Sequence, residues 1–193
     1  TNAATFTANG TNANITVNNA GNTFNGPVSF VGPQLGSVNV LDTTALVLPT
    51  LNLTGNLTVT AQGITQGANT LTVAGTTSLT TTGVTDVNLP NANNFTGAVT
   101  INSSQAATIN DINAITFGNV TTATNAGSFN VTANGAISDG GSGVMTIGGT
   151  TSLTAGAGNN ITLNQAGNDF GTTLPQGAVT IVSGNNVTLR DAN

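Results

Sequence analysis

Few side chains in this sequence can do chemistry. The charged ones are six aspartates, Asp42, Asp86, Asp111, Asp139, Asp169 and Asp191, and one arginine, Arg190. There is no Lys, Glu, His, Cys, Trp or Tyr. The usual activated nucleophiles and general bases are missing, and the serines have no partner to activate them. Paired carboxylates alone could still cleave a glycosidic bond if held roughly 5–10 Å apart. Even the two aspartates nearest in sequence, Asp169 and Asp191, are well separated along the chain. Only stacked elements could bring them together, and Asp42, Asp111 and Asp191 fall at one repeat position several coils apart. The expectation is a protein that is not an enzyme, with no catalytic, cofactor-binding or metal-binding residue and no cofactor.

Two further site types fail on composition. The run Gly140-Gly141-Ser142-Gly143-Val144-Met145 opens like a calcium-binding nonapeptide, but Met145 stands where the ligand Asp belongs. Without that carboxylate the run reads as a glycine-rich turn. A net charge of −5 with a single basic residue cannot neutralise phosphates, so nucleic acid is not an expected partner. Asn-x-Thr triplets at Asn14, Asn52, Asn56, Asn94, Asn119, Asn130, Asn160 and Asn186 read as products of alternating Asn and Thr in strands.

The elements that would position any site come from internal repetition. Gly55-Asn56-Leu57-Thr58-Val59-Thr60-Ala61 returns as Gly127-Ser128-Phe129-Asn130-Val131-Thr132-Ala133. Gly75-Thr76-Thr77-Ser78-Leu79-Thr80 returns unchanged at Gly149–Thr154. A phenylalanine landmark recurs at Phe24, Phe95 and Phe170, and each Phe is expected to fill an equivalent interior corner. The repeat is about 72 residues long, and its length drifts slightly from one correspondence to the next. This drift implies loops projecting from a stack of strands. The repeats are bounded at about 18–89, 90–164 and a partial 165–193, within a single segment 1–193. Inside them the strand-like pairs Phe129/Val131, Met145/Ile147, Ile161/Leu163 and Val179/Ile181 recur at a shorter, nearly even spacing, which reads as about four coils per repeat.

The strand reading rests on period two. Asn56-Leu57-Thr58-Val59-Thr60 and Asn160-Ile161-Thr162-Leu163 alternate polar with apolar residues, placing Leu, Val and Ile on one face and Thr or Asn on the other. No helical stripe is present, and Asn-Gly pairs such as Asn25-Gly26 suit tight corners. No apolar run approaches the roughly 20 residues of a spanning helix. Strands of four to six residues with seven Phe in all do not make the long strands and aromatic girdles of a membrane barrel, so no membrane insertion is expected. The abundance of β-branched residues argues against disorder. The fold class expected is all-β, a parallel β-helix or solenoid of about ten coils. At roughly 4.8 Å per coil that is a rod of about 50 Å.

The strings Gly158-Asn159-Asn160-Ile161-Thr162-Leu163-Asn164-Gln165-Ala166-Gly167-Asn168-Asp169-Phe170-Gly171, Ser183-Gly184-Asn185-Asn186-Val187-Thr188-Leu189-Arg190-Asp191-Ala192-Asn193 and Gly148–Gly156 resemble the repeat regions of filamentous-haemagglutinin-like adhesins of the two-partner secretion family. The resemblance covers essentially the whole chain. It implies a right-handed β-helix forming a shaft of a secreted bacterial surface protein, exported by an outer-membrane transporter. That transporter would recognise an amino-terminal secretion domain outside this stretch. The closing string Asn186–Asn193 aligns with Ala107–Asn113 and stops mid-repeat, so the expectation is a piece of a longer rod without a cap. Unguarded strand edges then predict end-to-end or edgewise self-association. The alternative function is a surface-binding solenoid, taking ice or glycan on Thr and Asn ladders.

Overall fold

Alternating short apolar and polar residues, punctuated by glycine, favour short strands over helices, and the computed structural model is all-β. It describes residues 2–123, 126–171 and 177–192. Among these there is no helix, and the strands pair in parallel throughout. The chain is a parallel β-solenoid of about eight turns, close to the ten expected.

Each turn visits three ladders in the same order. One face carries Thr11–Val17, Gln34–Leu41, Leu57–Ala61, Thr77–Thr81, Val99–Asn102, Ile115–Thr121, Met145–Ile147 and Asp169–Phe170. Its register runs Ile15, Val38, Leu57, Thr77, Val99 from one turn to the next. The second face runs Leu46, Ile64, Val87, Ala107, Phe129, Thr151, Val179. The third runs Leu35, Leu53, Val73, Phe95, and then Ile115, Ile137, Ile161, Val187. Alternation sends one residue in two inward on all three faces, and the inward residues form one continuous core from Ile15 to Phe170.

The turn is longer than the sequence spacing implied. Phe129 sits directly on Thr151, and Thr151 on Val179, so one turn takes up more chain than the step between neighbouring apolar pairs. The pairs led by Phe129, Met145, Ile161 and Val179 lie on the second, first, third and second faces. Each step between them is therefore two faces, not a whole turn. The strands in between, Ile137–Ser138, Thr151–Thr154 and Asp169–Phe170, are short or begin with a polar residue, and so escape an apolar count.

The sequence repeat is likewise out of phase with the turn. Thr77 of the first Gly-Thr-Thr-Ser-Leu-Thr string lies on the first face, whereas Thr151 of the second lies on the second. Leu57 and Phe129 are related in the same way. One repeat advances three turns plus one face. An identical string fits either face because both ask the same of it: the strands Thr77–Thr81 and Thr151–Thr154 begin with the same alternation of buried and half-buried residues.

The corner before the first face is built from stacked glycines. Gly55 donates to the Gly36 carbonyl at 2.9 Å and Gly75 to the Gly55 carbonyl at 3.0 Å. A Cβ on Gly75 would come within 2.7 Å of the Gly55 carbonyl oxygen, so the close approach requires glycine. Beside this column a polar side chain on one turn accepts the next turn's backbone N–H. Asn14 Oδ1 accepts from Ser37, Ser37 Oγ from Asn56, and Asn56 Oδ1 from Thr76, at 2.7 to 2.9 Å.

Candidate functional site

The aspartates are the sequence's only candidates for chemistry, and three of them share one structural task. Phe24 donates its backbone N–H to Asp42 Oδ1 at 3.1 Å, Phe95 to Asp111 Oδ2 at 3.0 Å, and Phe170 to Asp191 Oδ1 at 3.2 Å. In each case the Asp lies one turn further along the chain. Two residues before each Phe stands an Asn whose carbonyl accepts the N–H of the residue after the Asp. These bonds run from Thr43 to Asn22, from Ile112 to Asn93 and from Ala192 to Asn168, at 2.7 to 2.9 Å. The recurrent unit is thus Asn-x-Phe on one turn clamped to Asp on the next. Phe95 and Phe170 are buried as expected of corner residues, while Phe24 is half-buried against Phe6, edge to face at 5.5 Å.

Asp42 and Asp111 are each about 1% exposed. Burial pushes the Asp111 carboxyl above its ordinary value, and the backbone N–H groups of Asn113, Phe95 and Ile112 pull against that shift. Asp139 is also buried, and its Oδ2 accepts from the Gln165 backbone and from Asn168 Nδ2. Asp86 Oδ1 accepts the Ala106 N–H at 3.0 Å. Among the described residues no three acidic, His or Cys side chains gather into a metal-holding group. The run Gly140–Met145 forms a turn with Gly140 and Gly141 at positive φ, and Met145 points into the core.

Sequence reading missed the buried amides. Gln66 and Asn93, both fully buried, exchange side-chain hydrogen bonds at 2.8 and 3.0 Å, and Asn93 Oδ1 also accepts the Leu71 N–H at 2.9 Å. Asn168 does the same for Met145 N–H at 2.9 Å. The available signal was the position two before Phe, filled by Asn at Asn22, Asn93 and Asn168.

The outward side chains of the first face form uncharged columns. On the first face Asn39, Thr58, Ser78 and Thr100 stand in register, and Thr60, Thr80 and Asn102 form the column beside them. At the last described turn the strand Val187–Leu189 is paired on one side only. Val187 and Leu189 are 42% and 36% exposed, although the Ile161 and Leu163 on which they stack are fully buried. No helix among the described residues is long and apolar enough to cross a membrane.

A family model described as repeats of unknown function, DUF5649, matches twice in succession, over residues 35–102 and 104–176. The chain belongs to the DUF5649 repeat family. No curated protein and no solved structure matches it. Each DUF5649 match includes one Asn-x-Phe element, at Phe95 and at Phe170.

Proposed function

We propose that this DUF5649 solenoid is a shaft segment of a large secreted bacterial surface adhesin, a non-enzymatic spacer that supports adhesion or filament formation. One observation carries the reading: a single core runs from Ile15 to Phe170 inside parallel strands stacked on three faces. Such a stack gains length with each repeat and gives each turn the same neighbours above and below. The resemblance to filamentous-haemagglutinin-like repeats supports the placement outside the cell and export by an outer-membrane transporter. The test is protease treatment of intact cells that make the parent protein. The reading expects the repeats to be digested while cytoplasmic markers survive; full protection of the repeats on intact cells would count against it.

A second reading, surface binding through Thr and Asn ladders, is favoured by the unbroken register of Thr58, Ser78 and Thr100 beside Thr60 and Thr80. Thermal hysteresis measured at high concentration decides its ice-binding form: a depressed freezing point supports it, and its absence removes it. A glycan array tests the sugar-binding form in the same way.

A further inference from the structure

We propose that the seam between the first and second turns binds an extended, uncharged polypeptide strand by completing a broken backbone ladder. On the second face every neighbouring pair of strands from Leu46 to Val179 is hydrogen-bonded. Below Leu46–Val47 the next strand on that side is Val28–Val31. It pairs with Ala4–Thr7 as a separate two-stranded sheet and not with Leu46–Val47.

The turns close on either side of this break. Thr43 N–H bonds the Asn22 carbonyl at 2.9 Å before it, and Thr54 N–H bonds the Leu35 carbonyl at 3.0 Å after it. Between these two points lies a cleft of about 700 Å³, walled by Phe24, Pro27 and Val28 on one turn and by Val47 and Pro49 on the next. A second hollow of about 370 Å³ continues the seam past Val31 and Leu35. Three of the five prolines, Pro27, Pro33 and Pro49, flank the two strands. Pro49 stands two residues after Val47, on the same side of the strand, so its missing N–H removes a rung that would face the cleft.

The free groups point into the seam. In a parallel ladder the peptide groups of successive residues bond to alternate sides. Leu46 and Leu48 donate to Gly63 and Thr65 on the turn above, so the peptide groups of Val47 face the cleft. Pro27 and Val31 accept from Ala4 and Ala8 on the other side, so those of Val28 and Phe30 face it too. Val47 and Val31, 54% and 47% exposed, add apolar surface along the same line. Unpaired peptide groups on two facing edges recognise an extended backbone. No lining side chain is charged, which selects an uncharged strand.

The test titrates the full chain into a fluorescent peptide, Gly-Asn-Leu-Thr-Val-Thr-Ala, which copies residues 55–61. The expected result is saturable binding, with slowed hydrogen exchange at Val28–Val31 and Leu46–Val47. Methylating alternate peptide nitrogens should weaken binding about ten-fold or more, as loss of a backbone hydrogen-bond row requires. Val47→Pro, which removes a cleft-facing N–H, should do the same, with exchange at Val99–Asn102 reporting that the solenoid is intact. Val47→Thr keeps the backbone and should bind within about two-fold. If Val47→Pro does not fold, the methylated peptide and Val47→Thr carry the test. No saturable binding, equal binding of the methylated peptide, or protection appearing at Val187–Leu189 instead of the seam would each overturn the proposal.

Discussion

Asp111, itself about 1% exposed, accepts backbone N–H groups from the buried Phe95 and from Asn113 at the surface. Replacing it by Ala strands the Phe95 donor, and a buried unpaired group costs about 1–3 kcal/mol. Asp111→Ala should therefore lose roughly 1–3 kcal/mol in equilibrium denaturation. Its ionisation adds a pH signature. Burial raises the folded-state pKa above the unfolded value of 3.8, so the folded chain holds this proton more tightly. The resulting stability is fully present below the unfolded value and is lost as pH rises through the raised one. Denaturation midpoints measured across that window should fall with rising pH, and Asp111→Asn should remove this part of the slope. Thr77 and Thr151 make the opposite case. Their buried hydroxyls have no hydrogen-bond partner, at the same place in the two copies of Gly-Thr-Thr-Ser-Leu-Thr. Thr77→Val and Thr151→Val should each stabilise by about 1 kcal/mol, and the two should add, because the sites are turns apart.

Among the elements, the corner glycines set how closely the turns stack. Gly75→Ala forces a Cβ against the Gly55 carbonyl and should cost about 1–3 kcal/mol by thermal or chemical denaturation. Gly158→Ala, whose Cβ meets nothing within 4 Å, is the control and should be close to neutral. These elements also mark how far the sequence was legible. Alternation such as Leu57-Thr58-Val59 named the strands and their inward faces correctly, because the pleat leaves a period of two wherever one side is buried. The turn length was not legible, because strands on the three faces share that alternation, and counting strong apolar pairs steps over faces carried by Ser138 or Asp169. The Phe landmarks were legible as corners and the aspartates as one repeat position. Their union in a clamp was not, since the Phe N–H that joins them belongs to the backbone. Nor was the seam at Val28–Val31: what makes it is the absence of pairing to Leu46–Val47, and the alternation of Val28-Ser29-Phe30 looks like that of any paired strand.

At the scale of the whole molecule the repeat and the turn are incommensurate by one face, so successive DUF5649 repeats present the same string on successive sides. A rod built this way has no privileged face and grows along its axis with each copy. The most direct test of the shaft reading is small-angle scattering of the chain beside versions carrying one and two extra copies of residues 104–176. Each copy adds three turns and a face, so the longest dimension should increase by about 16 Å per copy at a constant cross-section. A cross-section that widens while the length stays fixed would contradict the account.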